Sequence, residues 1–199
     1  MFESQGTIYT ITSAGKGMDQ AVYQHMLESF VTIGHSMTPV EPDLEPLFVQ
    51  PGDLPAGIVG QRAEDLMPTN FENDPPATTI QGLRFARDGR AAGSVAILWY
   101  TSVADGTQAF TRLTTSVRDD AVSAGNKAQP MTDVGEDALT ARLSLASSTY
   151  GTSALAVVVF ARCHAVVDIR MSERPDVTLA TVIAYAKRLD QRLSAVVCQ

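Results

Sequence analysis

A chain of 199 residues that is 45% hydrophobic and 19% charged suits one folded domain, or one domain with an appendage, and can bury a core without metals or staples. Its formal net charge is −7, and its basic residues are twelve Arg and three Lys scattered along the sequence. That argues against nucleic acid as a partner, because neutralising phosphates takes clustered cations. No apolar run approaches the length of a membrane span, so no transmembrane segment is expected.

The first residues, Met1-Phe2-Glu3-Ser4-Gln5-Gly6, have neither the basic region nor the apolar core of a signal peptide. The expectation is a cytoplasmic protein, or one from which a leader or preceding domain has been removed. A composition rich in Thr, Ser and Gln and poor in Lys favours export. Two cysteines are too few for a disulfide scaffold and are wrongly spaced for a zinc motif.

Thr7–Thr12 is β-rich and is broken by Ser13-Ala14-Gly15-Lys16-Gly17. A helix then fits residues 19–33, with Asp19 as N-cap, a stripe of Val22, Met26, Phe30 and Ile33, and Gly34 as stop. From residue 35 to 77 the chain is proline-rich: eight of its ten prolines fall between Pro39 and Pro76. Proline lacks a donor and restricts its predecessor, so this segment is expected to wrap the domain in extended form. Leu47, Phe48, Leu54, Ile58 and Val59 are its expected anchors.

Residues 78–87 read as a strand with Gly82 as a bulge candidate. Asp88-Gly89-Arg90 is a hairpin signal, and residues 94–101 are apolar on both faces, as in a central strand. A helix is predicted over 105–124, with Phe110, Leu113, Val117 and Ala121 on one stripe and Gly125 ending it. Residues 138–145 alternate, with Leu139, Ala141, Leu143 and Leu145 on one face. Two apolar runs follow at 154–161 and 165–171. The last element is a helix opened by Pro175-Asp176, with Leu179, Val182, Ala186, Leu189, Leu193 and Val196 at spacings of three and four. Lys187, Arg188, Asp190, Gln191 and Arg192 fill its other face.

The predicted fold class is α+β: an antiparallel sheet with flanking amphipathic helices, in two or three layers. Residues 78–199 form its core domain, 35–77 the wrapping segment and 1–34 a strand–helix appendage. The appendage echoes the terminal strand–turn–helix unit. It reads either as the tail of a preceding related domain or as an ordinary instance of a common unit.

Cys163 lies between the last two apolar runs, and Cys198 is the last residue but one. A helix of about twenty residues rising about 1.5 Å each outreaches the seven-residue strand before it. Its end can therefore return to the hairpin turn, which predicts a Cys163–Cys198 disulfide and an oxidising compartment. Two separate thiols in a cytoplasmic protein remain the alternative at this level.

The chemical motifs are weak. The Ser13–Gly17 loop lacks the first glycine and the Ser or Thr after Lys16 that a phosphate loop requires. No HxH or HxxxH pair and no GxSxG elbow exists. Cys163-His164 makes a poor nucleophile–base pair, since neighbours in a strand point to opposite faces. The segment 133–137 lacks the spacing of an EF-hand loop. No catalytic, cofactor-binding or metal-ligating residue is assigned, and no cofactor is expected.

Asp133-Val134-Gly135-Glu136-Asp137-Ala138, the strands around VVVFARCHAVVDIRM, the closing helix and Asp53-Leu54-Pro55-Ala56-Gly57 together carry a resemblance. The pattern resembles exported bacterial lipoprotein and sensor-like domains of the PsbP/Mog1-like group over residues 47–198. Cys163-His164 stands where that group often has Gly or Asn. The resemblance implies an antiparallel sheet flanked by helices, an envelope location and a binding or accessory role, with no catalytic residues. The leading expectation is thus a non-catalytic extracytoplasmic domain that binds a protein partner or a small apolar ligand, with homodimerisation open. The first alternative is a hydrolase or metal-dependent enzyme assembled from distant residues such as His25, His35, Asp133 and Glu136. The second is a structural subunit of a larger assembly.

Overall fold

A computed structural model describes residues 2–4, 7–9, 44–63, 76–147 and 151–198. The chain divides into two compact units, Met1–Pro42 and Asp43–Gln199. In the first, β1 (Phe2–Ser4) pairs antiparallel with β2 (Thr7–Tyr9), Phe2 opposite Tyr9. The helix predicted over 19–33 lies outside the described residues.

The second unit holds a seven-stranded antiparallel sheet. Its strands are β3 (Ile58–Arg62), β4 (Thr79–Arg87), β5 (Arg90–Trp99), β6 (Gln129–Met131), β7 (Asp137–Ser147), β8 (Gly151–Arg162) and β9 (Ala165–Ser172). Across the sheet they run β3-β4-β5-β9-β8-β7-β6. Among the described residues three helices accompany them: a single turn α1 (Glu45–Phe48), then α2 (Val103–Ser123) and α3 (Leu179–Val197). The class is α+β, and it has three layers.

The central strands are apolar on both faces because both faces are covered. Ala156, Val158, Phe160, Val167, Ile169 and Met171 pack under α3 and α1 with Val182, Tyr185, Ala186, Leu189 and Leu193. Leu155, Val157, Val159 and Val166 pack under α2 with Ala109, Leu113, Val117 and Ala121. The alternation read in β7 has the same cause: Leu139, Ala141 and Leu143 face α2.

Several boundaries move. α3 begins at Leu179, capped by Thr178, whose hydroxyl accepts from the Thr181 N–H and whose own N–H donates to the Thr181 hydroxyl oxygen. Pro175-Asp176 instead lies in the turn before it, because Arg174 and Val177 form a bridge that closes this turn. α2 starts two residues early, on Ser102, whose hydroxyl accepts from the Asp105 N–H at 3.1 Å. Gly82 is no bulge: it pairs regularly with Ala96, and the register shifts between Phe85 and Ala86.

The Asp88-Gly89 turn has φ of +52° and +72°, the geometry of a two-residue hairpin. The proline-rich segment contributes α1 and the edge strand β3. Phe48 is buried and Leu47, Leu54 and Ile58 pack on the core, but Val59 is 59% exposed. It sits on the α2 side of an edge strand, where α2 does not reach.

Leu189 is fully buried between α3 and the sheet. Leu189→Ala is expected to lower unfolding free energy by about 2–5 kcal/mol in denaturant titration, through the cavity it leaves. A loss below about 0.5 kcal/mol, the range of surface changes, would contradict its place in the core.

Candidate functional site

The polar side of α3 does not simply face water. Arg188 and Arg192 turn toward the loop after α1 and converge on Asp53, whose side chain is only 4% exposed. Arg188 Nε donates to Oδ1 at 2.9 Å and Arg192 donates to Oδ2 at 2.7 Å, while the Gln50 N–H donates to Oδ2 at 2.9 Å. Arg188 also bonds the Asp53 carbonyl at 2.7 Å, and Arg192 bonds the Leu47 carbonyl at 2.8 Å. Buried Tyr185 donates its hydroxyl to the Phe48 carbonyl at 2.6 Å.

These bonds satisfy the backbone of an irregular segment laid over the helix, a need that burial makes strict. Burial pushes the Asp53 carboxyl up. The bonds from Arg192 and Gln50, the charge of Arg192 and the bond from Arg188 outweigh it, and the group titrates below its ordinary range. Burial also pushes the Tyr185 hydroxyl well up, so it stays a donor.

A second buried carboxylate, Asp190, holds another corner. It accepts two bonds from Arg162, at 2.7 and 2.6 Å, and one from the Gly135 N–H at 2.9 Å. In the sequence Asp190 falls on the polar face of α3, opposite the apolar stripe. It is 6% exposed because the turn before β7 and the end of β8 close over it. Arg162 is held charged, its pKa raised by the bond to Asp190 against burial and then by the charges of Asp190 and Glu136.

The predicted disulfide joins this corner: Cys163 and Cys198 are bonded with their Cα atoms 5.6 Å apart. Cys163 sits in the β8–β9 turn at φ +49°, the left-handed region where Gly or Asn is usual. Glu136 Oε1 lies 3.5 Å from Cys163 Sγ. His164 stacks on Trp99, with ring centroids 6.0 Å apart.

On the opposite face, Arg170 Nε bonds both oxygens of Asp168, at 3.1 and 2.9 Å. Beside it an open recess of about 370 Å³ is lined by Arg112, Thr115, Ser116, Asp119 and Asp120 on α2.

Of the four groups considered for an enzyme, the two that are described, Asp133 and Glu136, have different neighbours. His25 and His35 lie outside the described residues. Asp133 pairs with Lys187, which holds its carboxyl below the usual range by a hydrogen bond and its charge against slight desolvation. Glu136 stands at the disulfide instead. Among the described residues no nucleophile is bonded to an imidazole. The pairings of Asp53 and Asp190 were missed because their partners are 135 and 28 residues away. The only local hint was the i, i+4 pair Arg188 and Arg192 on an amphipathic helix. No family model, curated protein or solved structure matches this chain.

Two outcomes follow. The folded-state pKa of Asp53 is depressed, so its stabilisation is complete above the unfolded value near about 3.9 and is lost as pH falls through the folded value. Asp53→Asn should cost about 1–3 kcal/mol at neutral pH and flatten the acid limb of a stability–pH profile. An unchanged acid limb would remove this role. Denatured, unreduced protein should show no free thiol, and reduction should lower stability by up to about 4 kcal/mol in the chain-entropy model. Two titratable thiols per chain would refute the bond.

Proposed function

We propose that this chain is a non-catalytic accessory domain that works outside the cytoplasm by binding a protein partner along the β3 edge of its sheet. The observation that carries the reading is the contrast between the two edges. β6 is three residues long with Pro130 at its centre, which blunts it against pairing. β3 has five residues and no proline, and four of them, Val59–Arg62, are exposed. Among the described residues its outer side has no strand partner. An unpaired edge offers N–H and C=O groups in strand spacing, which another backbone satisfies better than an apolar small molecule.

The internal use of Asp53, Asp190, Arg188, Arg192 and Arg162 supports a binding role over catalysis. The disulfide supports an oxidising compartment, and no helix among the described residues is long and apolar enough to cross a membrane. The resemblance to PsbP/Mog1-like envelope domains belongs to the same proposal, supported by the sheet-between-helices architecture.

A photo-crosslinking side chain at Val59, with exposed Val122 on α2 as control, tests this in the native cell. One discrete heterologous adduct from position 59 and none from 122 is expected. No adduct at 59, the same adducts from both positions, or only an adduct of twice the chain mass would overturn it, the last in favour of a homodimer.

A further inference from the structure

We propose that Cys163, Cys198 and Glu136 form a second, reduced state of the disulfide corner that binds a zinc ion, so that disulfide and metal site are alternatives. The ligand atoms of these three residues all lie within 4.8 Å of one another. A tetrahedral zinc with bonds of about 2.3 Å to sulfur and about 2.1 Å to oxygen places sulfur and oxygen about 3.6 Å apart. Cys163 Sγ and Glu136 Oε1 already stand at 3.5 Å. The sulfurs must separate to about 3.8 Å in the same geometry, and Cys198 Sγ, within 4.8 Å of the carboxylate oxygen, must settle about 3.6 Å from it. Cys198 can supply that motion, because it is exposed and lies at the C-terminal end of α3.

The backbone that carries Glu136 is held whether or not the sulfurs are joined. The Glu136 N–H donates to the Ala161 carbonyl at 2.9 Å, and the Gly135 N–H donates to Asp190 at 2.9 Å. Gly135 has φ of +63°, and a Cβ there would lie 2.5 Å from the Ala161 oxygen, so the loop is pressed against β8. The nearby cation, Arg162, gives two bonds to Asp190 and stands with its charge beside Glu136.

The exchange balances. The thiolate of a dithiol reductant attacks one sulfur and breaks the Cys163–Cys198 bond. Two electrons pass to the pair, the dithiol leaves as its own disulfide, and its two protons reside on the cysteine sulfurs until the metal displaces them. Two thiolates and one carboxylate select zinc or a similarly thiophilic ion over calcium or magnesium. Glu136 and Cys198 are exposed, so water can take the fourth position.

The whole chain, reduced with a phosphine and desalted without oxygen, is titrated with Co²⁺ and then Zn²⁺. Reduced protein should bind Co²⁺ at one equivalent with a near-ultraviolet sulfur-to-cobalt band that Zn²⁺ abolishes; oxidised protein should give no band. Glu136→Gln keeps both sulfurs and should weaken Co²⁺ binding about tenfold or more, since even outer partners of a metal cost that much. Cys198→Ser should lose most of the band. Absence of the band in reduced protein, or undiminished affinity in Glu136→Gln, overturns the proposal. Should Cys198→Ser fail to fold by circular dichroism, Glu136→Gln alone decides.

Discussion

The burial of β8 and β9 on both faces is the constraint from which the rest of the molecule follows. Residues 155–160 are all at most 6% exposed. A strand that is apolar on both sides needs a layer above and a layer below, and one amphipathic helix supplies each. The two helices cover the middle and the β7 side of the sheet, while β3 and β4 project beyond α2. The partial cover explains why Val59, Gln61 and Arg84 are exposed on a sheet whose centre is dry.

Charge then fastens what the apolar layers do not reach. The loop around Asp53 and the turn around Gly135 are irregular backbone against α3, and each is tied down by a carboxylate, Asp53 meeting two arginines and Asp190 one. Such pairs contribute modestly in net terms, because removing ions from water offsets much of the attraction. Their larger effect is selective: losing one partner strands a buried charge, so the loop has one acceptable position. This is why α3 presents arginines on one flank and an aspartate on the next, rather than a uniform solvated face.

The disulfide corner gathers three chain segments that no single element spans: the turn before β7, the β8–β9 turn and the end of α3. The last turn of α3 buries little of itself, with Ser194, Ala195 and Val196 exposed. Its attachment is covalent rather than apolar. A bond at the surface, tying a lightly packed turn, is reachable by reductants. That accessibility gives this corner two chemical states where the core has one.

Elements whose signal is periodic were legible in the chain alone. α2, α3 and β7 repeat an apolar position, β8 and β9 read as apolar runs of eight and seven residues at 154–161 and 165–171, and the buried surface they meet is continuous. The disulfide was legible too, because helix rise and strand rise fix how far the end of α3 can travel. What needed the folded molecule were pairings set by distance in space. Asp53 with Arg188 and Arg192, Asp190 with Arg162, and the uncovered β3 edge depend on where the layers end relative to one another. A polar residue carries no local sign of its partner, since its preference is met equally by water or by an ion 135 residues away. Apolar periodicity decides which elements form; only tertiary packing decides which charges are buried, which edge stays open and which side chains share a corner.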